Sequence, residues 1–175
     1  RRPINKVSCA RSDKMRAEVS SQGGCLCGDT RFEILGPPMI VHACHCTHCQ
    51  RRSGVPFVVN LWIEDSLVNV LSGTPVKHGE VVSEQGQSSE GWACQKCGFG
   101  LWTVYHAARK GSIFLRAGTL DDPSEFPPDV HIFTRSKQPW VQIPDDVPSF
   151  EAFYDFRETW STESQQRYKN LKEAG

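Results

Sequence analysis

Apolar residues in this chain fall in short runs divided by turn residues. Thr30-Arg31-Phe32-Glu33-Ile34-Leu35 reads as a strand stopped by Gly36-Pro37-Pro38. Met39 to His42 is a second short apolar run. Val55 to Ile63 (Val-Pro-Phe-Val-Val-Asn-Leu-Trp-Ile) is β-branched and aromatic, the strongest strand signal in the chain. Leu67–Leu71, Val76–Val82, Gly100–Tyr105, Ser112–Ala117 and His131–Thr134 predict further strands. Gln85 to Gly91 reads as a polar loop, and Pro123, Pro127 and Pro128 break the segment before the last strand. Short strands at this spacing predict a mostly β domain. The end of the chain departs from this texture. Trp160, Tyr168 and Leu171 fall on one helical face, which predicts a helix over 158–173. That thin stripe fits packing on its own domain or on a second chain, so a homodimer is one expectation.

Residues 1–20 lack periodicity and read as a flexible leader. The organisation expected is a leader over 1–20, a zinc-supported domain over 21–155 and a helical tail over 156–175. Lys plus Arg is 20 and Asp plus Glu is 20, so a nucleic-acid partner gathered by bulk positive charge is not expected. No stretch approaches the ~20 consecutive apolar residues of a membrane span. With no apolar signal segment at Arg1 to Ser20, a cytoplasmic, reducing setting is expected.

The eight cysteines change the picture. Seven lie in three groups: Cys25 and Cys27; Cys44, Cys46 and Cys49; Cys94 and Cys97. Cys9 stands alone. Closely spaced thiols in a reducing setting indicate metal ligands before disulfides. Zinc takes thiolates in a tetrahedron at about 2.3 Å. Two pairs make a closed set of four, and the triplet leaves one position open. Closed sites are structural, and open three-ligand sites are typically catalytic. Spacing alone does not say which groups combine. An iron–sulfur cluster uses the same ligands, and His42, His45 or His48 near the triplet would close its site. His45, lying between two ligand cysteines, should point away from a metal held by both. His45 and His48 are therefore candidates for contacting whatever arrives at the metal. Arg51 and Arg52 follow the triplet, where guanidinium groups suit substrate carboxylates; a solvated basic turn is the other reading. His131 reads as structural, Trp140 as core, and Asp121-Asp122-Pro123 as a turn cap.

The blocks Gly23-Gly24-Cys25-Leu26-Cys27-Gly28 with Arg31-Phe32, Cys44-His45-Cys46-Thr47-His48-Cys49-Gln50-Arg51-Arg52, Trp92-Ala93-Cys94-Gln95-Lys96-Cys97-Gly98-Phe99-Gly100-Leu101 and His131-Ile132-Phe133 with Lys137-Gln138-Pro139-Trp140 occur in this order. From about Gly23 to about Phe153 the chain resembles the glutathione-dependent formaldehyde-activating (GFA) family, whose domain the centromere protein V-like proteins share. The resemblance implies a small twisted β architecture of the Mss4-like type and two Zn2+ sites. In it, Cys25, Cys27, Cys94 and Cys97 hold a structural zinc, and Cys44, Cys46 and Cys49 a catalytic one. It implies carbon–sulfur lyase chemistry on a glutathione adduct. Ser88-Ser89-Glu90-Gly91-Trp92 departs from the relatives, which commonly carry a basic residue and Phe near Gly91 and Trp92. Trp92 is therefore a candidate pocket residue, and a larger substrate than formaldehyde is a second reading. A zinc-supported binding module without catalysis is a third.

Overall fold

The computed structural model describes residues 20–82 and 86–171. The expected leader through residue 19, with Cys9, and residues 172–175 of the expected helix lie outside the described residues. Among the described residues ten strands form two sheets. β1 (Ser21–Gly24), β2 (Arg31–Ile34) and β5 (Val68–Ser72) make a small antiparallel sheet in the order β1-β2-β5. The larger sheet contains β3 (Ile40–Cys44), β4 (Val58–Glu64), β6 (Pro75–Val82), β7 (Ser88–Cys94), β8 (Gly100–Tyr105), β9 (Ser112–Arg116) and β10 (Val130–Ile132). Its order is β10-β3-β4-β9-β8-β7-β6, antiparallel except for the β10–β3 pair. The mostly β class with a C-terminal helix is as expected.

Alternation along β4 and β9 gives the large sheet two covered faces. Leu61 and Ile63 with Ile113 and Leu115 meet Phe32 and Ile34 of the small sheet, forming one core. Trp62 and Phe114 point the other way, into a second core with Ile40, Val130, Ile132, Tyr154 and Trp160. Strands buried on both faces read as continuous apolar runs rather than as an alternation. This is why Val58–Ile63 gives so strong a signal.

Four elements differ from the sequence reading. Ser21–Gly24 forms β1 although its residues are small and polar; the ladder to β2 supplies the order. Ser88–Gly91, read as loop, belongs to β7, paired on both sides with β6 and β8. Its polar residues serve strand ends and ion pairs such as Lys77–Glu90, at 2.7 Å, and so carry no apolar signal. The triplet segment continues into a helix, α1 (Thr47–Ser53), too short to show periodicity. The tail is two helices, α2 (Phe156–Thr159) and α3 (Thr162–Asn170), because Ser161 restarts the chain as an N-cap, accepting from the Ser164 N–H. Trp140 is 69% exposed and is not core. Asp122 does cap a turn, accepting from the Ser124 N–H at 2.9 Å.

The Trp160/Tyr168/Leu171 stripe packs on the chain's own second core: the Trp62 ring lies 4.9 Å from Trp160 and 5.2 Å from Tyr168. Arg167 of α3 clamps the tail, donating to both Glu64 oxygens (2.8 and 2.6 Å) and to the Pro37 carbonyl (2.7 Å). The pair is half-screened, with side chains 20% and 12% exposed. Arg167→Ala should therefore cost about 1–2 kcal/mol, read as a lower denaturant midpoint at unchanged slope.

Candidate functional site

Two sulfur clusters stand in this frame. The first joins the sheets. Cys25 and Cys27 sit in the β1–β2 turn; Cys94 ends β7, and Cys97 lies in the turn to β8. Both turns are built alike: the Cys25 N–H bonds the Thr30 carbonyl, and the Cys94 N–H bonds the Phe99 carbonyl, at 3.0 Å each. Each places a left-handed glycine straight after its second cysteine, Gly28 (φ 75°) and Gly98 (φ 71°). The four sulfurs lie within 4.8 Å of one another, with Cys25–Cys27 at 3.4 Å and Cys27–Cys94 at 3.9 Å. A tetrahedron of thiolates 2.3 Å from zinc needs sulfurs about 3.8 Å apart, close to the spacing found, so this set can hold a metal.

The second cluster lies at the end of β3. Cys44 is the last residue of β3, Cys46 caps α1 by accepting from the Cys49 N–H at 3.3 Å, and Cys49 follows one turn on. Gln50 fixes α1 to the loop after β10, donating to the His45 carbonyl (2.6 Å) and the Ser136 carbonyl (2.9 Å). All three sulfurs lie within 4.8 Å of one another. Hydrogen bonds from Cys44 and Cys49 draw the Cys46 thiol down to about 2, while the same contacts and burial push Cys44 far up. Left to themselves the three sulfurs oppose one another's ionisation. A cation is what lets all three ionise together, so this cluster too can hold a metal.

No histidine nitrogen among the described residues joins the three sulfurs. The His42 Nε2 lies 2.6 Å from the Tyr154 hydroxyl, which accepts in turn from the Trp160 indole at 2.7 Å. Burial pushes His42 down to about 3, so it stays neutral. His45 turns away from the sulfurs, as expected, and meets the His131 Nδ1 at 2.8 Å. Burial, then the His131 ring, pushes it down to about 4. Lys137 donates to the Val141 carbonyl at 2.6 Å, anchoring its own loop.

Cys44 and Cys46 open onto a cavity of about 330 Å³. Its walls are aromatic, with Trp62, Tyr105, Phe114, Phe133 and Phe153. His42, His48, Asn60 and Arg135 add polar groups. Of the sequence candidates for substrate contact, His48 alone lines this cavity. His45 is buried behind it. Arg51 and Arg52 face a shallow cleft with Thr47 and His48, and Arg52 with Trp92 borders a different cavity. The aromatic walls were not singled out in the sequence, because alternate aromatic residues of a strand carry the same signal whether they meet core or cavity. Arg135 carries no sequence signal beyond its charge.

Among the described residues no helix is long and apolar enough to cross a membrane. A comparison with curated proteins found no match. Among solved structures, the chain is similar to a Rhodobacter sphaeroides protein from a structural genomics programme. The two are 17% identical over 74% of this chain and 99% of that one, with a TM-score of 0.40. Residues 20–136, most of the chain and all seven clustered cysteines, match the glutathione-dependent formaldehyde-activating enzyme family. With its Mss4-like, mostly β architecture and two cysteine clusters, the chain belongs to the glutathione-dependent formaldehyde-activating family.

Proposed function

We propose that the chain is a zinc-dependent carbon–sulfur lyase, making or breaking the adduct of a glutathione-type thiol with an aldehyde or related electrophile. Cys44, Cys46 and Cys49 would hold the reactive zinc, and Cys25, Cys27, Cys94 and Cys97 a structural one. The observation that carries the reading is that three sulfurs, and no fourth ligand among the described residues, converge beside a cavity. Family membership supports glutathione-dependent formaldehyde activation in general. A zinc with an open position lowers the pKa of an incoming thiol and polarises a carbonyl oxygen.

The chain's own residues then have definite tasks. In the forward direction a C–S bond forms between thiol sulfur and carbonyl carbon, and the thiol proton ends on the oxygen. The aromatic walls keep water from the carbonyl, so the sulfur adduct is favoured over the hydrate. His48 lines the cavity, where it can contact the arriving thiol, and Arg135 lines it as a partner for a carboxylate of a peptide-like thiol. Neutral His42, held by Tyr154, keeps the inner wall uncharged.

A second reading concerns size. A cavity of about 330 Å³ walled largely by Phe, Tyr and Trp rings exceeds what formaldehyde fills, and it suits a larger apolar or aromatic electrophile. Exchange NMR on zinc-loaded protein with glutathione plus formaldehyde, or plus benzaldehyde, separates these. Thiol adduct exchange should be accelerated, with a higher kcat/KM for benzaldehyde. No acceleration with either aldehyde rules out the lyase, and acceleration with formaldehyde alone rules out the larger substrate.

A further inference from the structure

Arg52 and Trp92 point to a second site. β9 stops at Arg116, which pairs with Asn60, and the chain leaves the sheet in a 3-10 turn over Ala117–Thr119. Val58 and Val59 of β4 and Gly100 of β8 run on without β9 between them. The gap opens into a cavity of about 910 Å³. Arg52 enters from α1 and Arg116 from the end of β9; Trp92 and Trp102 form an aromatic wall with Phe57 nearby, and no Asp or Glu among the described residues lines the space. The two indoles are nearly parallel, 18° apart with centroids at 6.4 Å. An Arg116 guanidinium nitrogen (Nη1) and the Trp92 Nε1 are buried with no hydrogen-bond partner among the described residues. Arg52 reaches inward only because position 91 is glycine: a Cβ there would stand 1.5 Å from its Nη2. Burial, then the Arg116 charge, holds Arg52 below the ordinary arginine range.

Two guanidinium groups lining one partly dry space, one of them and an indole N–H with an orphaned donor, are costly without an acid. An anionic oxygen acceptor removes both costs at once, and a carboxylate matches the guanidinium fork. We propose that this cavity binds a flat organic acid, its carboxylate on Arg52 and Arg116 and its ring against Trp92, at a site separate from the triplet cavity.

The test uses the zinc-loaded full chain titrated with benzoate, benzamide and inorganic phosphate, following the Trp92 indole N–H resonance. Benzoate should shift it saturably, and benzamide should bind at least about tenfold more weakly. Arg116→Gln and Arg52→Gln, with metal content unchanged, should each lose about tenfold or more in benzoate affinity. Gly91→Ala should weaken binding by displacing Arg52. If Arg116→Gln does not fold, Arg52→Gln on the surface helix carries the test. Cys46→Ser should bind benzoate as the parent does, which separates this site from acid bound at a metal. Equal binding of benzamide, tighter binding of phosphate than benzoate, full affinity in Arg52→Gln, or loss of binding in Cys46→Ser would each overturn the proposal.

Discussion

Cys46→Ser should fold, keep one metal per chain and lose at least about 100-fold in thiol-adduct turnover. The substitution is unusually clean. Cys46 is the N-cap of α1, where its sulfur accepts from the Cys49 N–H. Serine is among the best N-cap residues, so the helix stays capped and the backbone keeps its course. What disappears is the thiolate. A serine hydroxyl is not ionised at neutral pH, and two sulfurs make a weak site. Metal analysis, the melting midpoint and the glutathione–aldehyde exchange rate are read on one sample. Full turnover with one metal lost would show that the triplet is not where the chemistry happens.

The second large effect is on folding. Cys94→Ser should lower the melting midpoint by about 10–20 °C, or prevent folding at 37 °C. Cys94 is 1% exposed and ends β7, where its sulfur meets those of the β1–β2 turn from the other sheet. Structural zinc contributes roughly 10–16 kcal/mol to small domains that depend on it, against a typical net stability of about 5–15 kcal/mol. The shared apolar core around Phe32, Leu61 and Leu115 retains part of the sheet-to-sheet contact, so about 5 kcal/mol is the expected loss. Thermal unfolding with and without chelator checks this: Cys94→Ser should melt near the chelated parent, while a midpoint equal to that of the untreated parent would remove the structural role of this cluster.

Much of both metal centres is legible in the residues themselves. Ligand spacing is short-range chemistry: Cys44, Cys46 and Cys49 need only one strand end and one helical turn to converge, and Cys94 and Cys97 need only one turn. The union of Cys25 and Cys27 with Cys94 and Cys97 is different. It depends on two distant hairpins meeting, and the family resemblance supplied it before the coordinates did. The cavities were out of reach. Trp62 and Phe114 alternate out of the first core and read as buried aromatics, and nothing local tells a wall from a filling. Arg116 looks like a strand end; its place beside Arg52 in one cavity follows from β9 stopping short. The β7 error has the same origin. Ser88–Gly91 is held by ladders on both sides, so its own side chains need not be apolar. Tail packing is intermediate. The spacing of Trp160, Tyr168 and Leu171 revealed an apolar face, but the break at Ser161 depends on a hydroxyl that caps rather than continues a helix.

The most direct test of the two-centre assignment is zinc-edge X-ray absorption on the fully loaded chain, before and after glutathione. One closed four-sulfur site and one open three-sulfur site predict an average of about 3.5 sulfurs per zinc, rising to about 4 with the thiol and no loss of metal. An average of 4 beforehand that does not change, or a nitrogen shell in place of the missing sulfur that glutathione leaves intact, would contradict it.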